Sequence, residues 1–303
     1  MGTFSMRHAI LFAATAAFAF GTAPLAAQDP GNETAAPESP NPPAEAPPSV
    51  FDGDWFTIGA GVGYNSSYDG SDDYVLSPLP FLQGKLGGVA INPRPAGIAL
   101  DFIDDPRGNP VDITLGVAAR VNRNRVSQIE DPVVFAYGKL DTAIEVGPTA
   151  GLSFNGILHE FDSISVGVDV LWDVAGAHNG MTINPSVTYF TPLSRGTALS
   201  FSLSARHVDD DYAAYYYSVP VAPAAVAVAD RLPVFNADGG FDKIGANLLF
   251  GVDFDGDLTN GGLAGFLIGG YSRMQSDGAR TPFTSIRGTP DQWFVGAGLG
   301  YTF

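Results

Sequence analysis

Cysteine is absent from all 303 residues, which removes disulfides, thiolate metal sites and cysteine nucleophiles together. Cationic side chains are scarce: 15 Lys and Arg stand against 32 Asp and Glu, for a net charge of −17. Residues 1–27 carry +1 and residues 28–50 carry −4, leaving −14 for residues 51–303. Phosphate backbones select clustered Lys and Arg, so this balance argues against a nucleic-acid partner. Past residue 27 there is no apolar run of about 18 residues, so a spanning helix is excluded there and any membrane crossing must be made by strands.

The first 27 residues read as a secretory signal. Arg7 and His8 give a short basic start, Ala9 to Phe20 is an apolar run of 12, and Ala26 and Ala27 are small residues beside an expected cleavage point. Leu25 stands where a small residue is preferred, so the cut is placed only near Ala27. Residues 28–50, "QDPGNETAAPESPNPPAEAPPSV", hold seven prolines and four carboxylates with almost no large apolar side chain. Such a segment cannot bury enough surface to fold and is expected to be a disordered linker. At about 3.1 Å per residue its extended reach is roughly 70 Å.

After Phe51 a period of two recurs. In "VDITLGVAARVN", Val111, Ile113, Leu115, Val117, Ala119 and Val121 alternate with Asp112, Thr114, Gly116, Ala118, Arg120 and Asn122. "LDTAIEVGPTAGLSFN" and "DKIGANLLFGVDFD" repeat the pattern. So does "QWFVGAGLGYTF", where Trp293, Val295, Ala297, Leu299, Tyr301 and Phe303 oppose a glycine-rich row. No helical period competes with it. Strands are expected over 54–64, 76–84, 88–92, 97–102, 111–122, 140–155, 161–175, 181–190, 196–208, 241–255, 262–274 and 292–303. That makes twelve, or ten if "NPRPAG" is a bulge inside a longer strand rather than a hairpin turn.

Strands of this length favour a membrane barrel over a sandwich, because a tilted strand needs about 9–11 residues to cross hydrocarbon whereas sandwich strands run to about 5–6. Connection lengths agree. Those at 275–291, 209–240 and 123–139 are long, those at 256–261, 191–195 and 156–160 are short, and every long one falls on the same side, as in bacterial outer-membrane barrels. The short 176–180 connection also lies on the long-loop side. The expected fold is an all-β, antiparallel, up-and-down transmembrane barrel over 51–303, closed because lipid cannot satisfy a free sheet edge. Trp55, Tyr64, Trp172, Tyr189, Trp293 and Tyr301 lie near strand ends, where aromatic girdles belong.

Chemistry-bearing residues are sparse. His159–Glu160 and His207–Asp209 place an imidazole near a carboxylate, as a barrel hydrolase would need beside a nucleophile or water, but loop and interface histidines are the default reading, and His178 stands in a short loop. "DFDGDLTNGG" (253–262) fails the calcium-loop pattern and reads as a tight turn. The acidic clusters "YDGSDDY" (Tyr68–Tyr74) and "HVDDDY" (His207–Tyr212) fall in long loops, where charge is usually solvated or bridges lipopolysaccharide through cations. Asp112, Arg120, Asp141, Glu145, Asp169, Arg206, Lys243 and Arg273 are assigned to inward rows, which they would either plug by pairing or line as an aqueous path. No catalytic, cofactor or metal site is assigned.

The ordered landmarks resemble the MltA-interacting protein (MipA/OmpV) family. They are "WFTIGAGVGYNSSYDGSDDYVLSPLPFL" from Trp55, "VGPTAGLSF" from Val146, "VTYFTPLS" from Val187, "YYYSVP" with "RLPVFNADGGF" between Tyr215 and Phe241, and the segment from Asp277 onward. Tyr217, Ser218 and Val219 depart from the phenylalanine-glycine-valine often found in that family. The resemblance implies a barrel in the bacterial outer membrane, in contact with lipid and lipopolysaccharide, that joins a lytic transglycosylase to a murein synthase without catalysis of its own. Other family members are treated as surface adhesins, and a passive small-solute pore is the remaining alternative from the polar inner rows. The terminal aromatic strand resembles the signal read by the β-barrel assembly machinery.

Overall fold

A computed structural model describes residues 49–106 and 108–303. The expected signal over 1–27, and all but the last two residues of the 28–50 segment, lie outside the described residues. Twelve antiparallel strands close on themselves, each pairing with its sequence neighbours and β1 pairing with β12. They are β1 (Trp55–Ser66), β2 (Tyr74–Leu86), β3 (Val89–Arg94), β4 (Gly97–Asp101), β5 (Val111–Asn122), β6 (Ala143–Asn155), β7 (Ser163–Asp173), β8 (Met181–Ser194), β9 (Thr197–Val208), β10 (Gly240–Asp253), β11 (Gly262–Met274) and β12 (Asp291–Thr302). The stretch "NPRPAG" is a hairpin, with Arg94 opposite Gly97, so the count is twelve.

Burial is inverted relative to a water-soluble protein. The apolar row of each strand faces outward: Val62, Leu115, Leu203, Leu267, Val295 and Leu299 are all exposed, at 49–61%. The polar and glycine row faces in, because a barrel hides its backbone from lipid and leaves its side chains to divide between hydrocarbon and lumen. Tyr64, Trp172, Trp293 and Tyr301 are exposed on the outer face near strand ends, as a girdle requires. Trp55 departs from that expectation. It sits opposite inward Lys85 and packs edge-on against Phe51, 4.7 Å between ring centroids.

The closing seam is lined by facing glycines. Gly59, Gly61 and Gly63 of β1 lie opposite Gly300, Gly298 and Gly296 of β12. A Cβ on Gly61 would stand 2.3 Å from the carbonyl oxygen of Ala297, so the backbone there leaves no room for one. A Cβ on Gly296 would meet Leu79, and one on Gly298 would meet Phe266. The glycine row is thus the floor on which inward Leu79, Phe266 and Phe294 lie.

Four short helices stand in the long loops, where strand periodicity predicted none: α1 (Pro132–Ala136), α2 (Asp210–Tyr217), α3 (Ser276–Arg280) and α4 (Pro282–Ser285). Each is at most eight residues, too short for a 3.6-residue period to register. None of the described helices is long and apolar enough to cross a membrane.

Candidate functional site

The two large buried apolar clusters lie in the loops at the long-loop rim. One joins Tyr68, Val134, Val219 and Phe283, and the other Tyr212, Tyr216, Tyr217 and Met274. Together they draw on the segments that follow β1, β5, β9 and β11, so they form a cap at that mouth. Arg125 is sealed within it, its guanidinium 4.1 Å above the Phe283 ring. Burial pulls its pKa down to about 10.

Helix α2 anchors the cap to the lumen. Asp209 caps it by accepting from Tyr212 N at 3.0 Å, and Asp210 and Asp211 in its first turn suit the positive end of the helix dipole. The "HVDDDY" run is therefore a helix start rather than a solvated charge cluster. Burial raises the pKa of the Tyr212, Tyr216 and Tyr217 phenols, which stay protonated. Tyr217 Oη donates to Asp242 Oδ2 at 2.6 Å.

Directly beneath the cap is an ionic lattice. A bulge in β10 breaks the register between Phe241 and Lys243, which lets consecutive Asp242 and Lys243 both serve the interior, as bulges do when they re-aim side chains. Arg206 donates from Nε to Asp242 at 3.0 and 3.1 Å and from Nη2 at 2.6 Å. Its Nη2 also reaches Asp69 at 2.9 Å, and Lys243 reaches Asp69 at 2.5 Å. Asp69 belongs to the "YDGSDDY" loop but is not a solvated charge. Burial alone would raise its pKa, yet Lys243 and Arg206 hold it well below the usual carboxylate range.

A second tier joins Arg120 to Glu145. Asn122 donates to Glu145 at 3.0 Å and to Tyr212 Oη at 3.2 Å, tying this tier to α2. His178, which sequence reasoning left in a loop, is buried with its Nε2 3.4 Å from Glu145 Oε1 and its ring edge-on to Tyr212 at 4.9 Å. Deeper still, Arg94 of β3 reaches across to Asp169 of β7 at 2.8 Å, and Thr149 donates to Asp169 at 2.6 Å. Four cations (Arg94, Arg120, Arg206, Lys243) thus meet four anions (Asp69, Glu145, Asp169, Asp242). Such pairing cancels charge within the lumen and leaves these groups forming no row of one sign.

Two residues assigned to inward rows are not there. Asp141 lies before β6 in the cap, and Arg273 shares the outward parity of Leu263 and Leu267, reaching Asp291 at 2.8 Å on the rim. Neither histidine–carboxylate neighbourhood forms a dyad. His159 Nε2 meets Thr191 Oγ1 at 2.8 Å. His207 is on the outer parity against Phe241, while Asp209 is engaged by Tyr212 N and by Met181 N at 2.7 Å. In the "DFDGDLTNGG" turn, Asp253 Oδ1 accepts from the backbone N of Asp255, Gly256 and Asp257, which is turn chemistry. No cluster of His, Asp and Glu suited to a metal occurs among the described residues.

At the opposite rim, Val50 N donates to Thr259 O at 2.8 Å and Ser49 Oγ to the same oxygen at 3.2 Å. The segment entering the barrel is thereby fixed beside the β10–β11 turn.

A family model described as MltA-interacting protein MipA matches residues 58–303. No curated protein matches significantly. Among solved structures, the chain is similar to the COG4313 outer membrane channel of Pseudomonas putida F1, at 13% identity and TM-score 0.41, over 88% of this chain and 100% of that one. It is also similar to the outer membrane channel DcaP of Acinetobacter baumannii, at 11% identity and TM-score 0.30, over 82% and 96%. A third is OccK7 (OpdD) of Pseudomonas aeruginosa, at 9% identity and TM-score 0.28, over 83% and 99%.

Proposed function

The chain belongs to the MltA-interacting protein family, and on that premise we propose that it is a non-enzymatic scaffold of the bacterial outer membrane that holds murein-processing enzymes at its periplasmic rim. The observation that carries this reading is the family match, which spans every strand from Ile58 onward. In this reading residues 1–27 are a removed export signal, residues 28–50 a periplasmic linker, and the long-loop cap is extracellular, set among lipopolysaccharide. The alternating strand β12 is what the β-barrel assembly machinery engages.

Two features support a scaffold over a pore. The cap covers one mouth with buried side chains, and the four cations of the tiers below it are paired with four anions. The attachment of Ser49 and Val50 to Thr259 supports a role for the linker, since it leaves the barrel beside a short turn on the rim where cell-wall enzymes would dock. Crosslinking in intact cells, followed by identification of partners, tests the reading. Recovery of a lytic transglycosylase or a murein synthase with the full chain is expected, with a weaker yield after deletion of residues 28–48. Absence of both enzymes from the crosslinked material would refute it. Planar-bilayer recordings address the pore alternative, and the expected trace is silent.

A further inference from the structure

The short-turn rim carries an apolar knuckle. The β6–β7 turn extends beyond its last ladder pair, Asn155–Ser163, and leaves Ile157, Leu158 and Phe161 in the open, with Leu158 77% and Phe161 68% exposed. Phe190 and Leu193, at the end of β8, are exposed beside it. Phe190 pairs with Ser163 and Ser200, so it has the lumen parity, opposite to outward Val187. Lipid around the barrel therefore does not cover the whole group. Single apolar residues are ordinary on a surface, but a contiguous group rimmed by polar residues marks an interaction site.

The knuckle is held in shape by its own hydrogen bonds. The buried Asp162 carboxylate accepts from Ile157 N at 2.7 Å, Leu158 N at 3.0 Å and Tyr189 Oη at 2.9 Å. The 2.8 Å contact of His159 with Thr191 joins this turn to the β8–β9 turn. That turn is joined to the β10–β11 turn by Arg195 Nη2 donating to Asp257 at 2.8 Å and Leu258 N donating to Arg195 O at 2.8 Å. On the other side, Asn155 Nδ2 donates to Asn109 O of the β4–β5 connection at 3.0 Å. These turns form one platform, already ordered before any partner arrives, which spares the ordering cost of binding.

Negative charge flanks the apolar group on both sides. Segments 49–54, 85–89, 101–110, 156–162, 191–196 and 253–262, which carry the chain at this end, hold ten carboxylates against three Lys or Arg in sequence. In the β10–β11 turn Asp253 and Asp255 are held by backbone N–H groups and the Asn260 amide, which satisfy the oxygens without cancelling the charge. Residues 28–50, which join the barrel beside Thr259, add four carboxylates and no cation.

We propose that this platform docks a folded protein whose contact surface is an apolar patch ringed by Lys and Arg. The apolar side chains of that partner bury against Leu158, Phe161 and Leu193, and its cations meet the acidic turns on either side, which steer the approach and fix the register. A leaflet with anionic head groups meets like charge on the same rim. The inference rests on the scaffold reading and adds where the partner sits and what surface it presents.

The test uses the full chain in intact cells, with a photoreactive phenylalanine analogue at Leu158, at Leu193 or, as a control, at Gly53, which precedes β1 six strands away around the barrel. Adducts are mapped by peptide mass spectrometry. Protein adducts are expected from Leu158 and Leu193 and not from Gly53, on a partner peptide whose apolar residues are flanked by Lys or Arg. Asp255→Asn with Asp257→Asn keeps the turn's acceptors and should lower the yield roughly fivefold, whereas Asp72→Asn at the other mouth should leave it unchanged. Murein-enzyme adducts from Gly53 alone would keep the scaffold reading and overturn this placement. Capture at Leu158 and Leu193 of a protein outside murein processing, with the same charge dependence, would keep the placement and refute the scaffold reading. Adducts with lipid alone, absence of protein adducts at both positions, or a yield indifferent to the two charges would each overturn the proposal.

Discussion

Replacing Asp242 by Asn should unlatch the cap while leaving the barrel closed. Asp242 is 3% exposed at its side chain, and its carboxylate takes the Arg206 guanidinium and the Tyr217 hydroxyl together. Removing one partner of a buried ion pair costs about 3–5 kcal/mol, because the other charge is stranded. Asp69 remains 2.9 Å from Arg206 and the Asn amide preserves one acceptor, so the lower figure of about 3 kcal/mol applies. At about 1.4 kcal/mol per decade, cap opening should become roughly 150-fold more frequent. Amide hydrogen exchange in nanodiscs reads this directly, since local opening sets the rate. Faster exchange is expected in α2 and at Phe241–Lys243, with the central amides of β6 and β11 unchanged. Asp169→Asn, which strands Arg94 in the deeper tier, should leave α2 protected. If Asp242→Asn leaves α2 exchange within a factor of three, or accelerates every strand equally, the latch does not exist as described.

Acidification should loosen the same latch. Asp69 has a folded-state pKa depressed below its unfolded value, so its contribution is full above the ordinary carboxylate pKa near 4 and is lost as pH falls toward the folded value. Protection of α2 should be flat from about pH 8 to 6 and decline below about pH 5, and a decline on the alkaline side instead would contradict the sign. At the seam, Gly61→Val forces a side chain against the Ala297 carbonyl and the Gly298 Cα. It should cost about 3 kcal/mol through overpacking, seen as loss of the heat-modifiable folded band on gels. Deleting Phe303 removes its stack on Phe56, 4.9 Å between centroids, and its backbone bond to Phe56 O at 2.9 Å. A lower folding yield into vesicles and about 2 kcal/mol of lost stability are expected, and a wild-type yield would refute the role given to this residue.

Much of the barrel was legible because alternation is local. Val111–Val121 or Trp293–Tyr301 declare their two faces without reference to any other strand, and the stop–start rhythm of turns gave twelve elements with ends off by a few residues. The cap was not legible. Tyr212, Tyr216 and Tyr217 lie on a helix of eight residues, too short to show a period, and they are buried against Met274 and Ala237 from other loops. Asp69 and Asp209 each read as members of solvated acidic runs, since nothing near them in sequence carries the partners that claim them. Arg206 is 137 residues from Asp69, and His178 meets Glu145 only because β6 and the β7–β8 connection lie side by side. Arg273 was misassigned for a nearer reason: its parity matches Leu263 and Leu267, but a charge at a strand end reaches the aqueous rim without turning inward.

By itself the sequence determined which residues face lipid and that the sheet must close, because hydrocarbon tolerates no unpaired backbone and each strand's own period of two divides its side chains. The pairing of lumen charges and the cap over one mouth were decided only by the tertiary structure. Both depend on which distant segments share a few ångströms of space, and no local pattern encodes that.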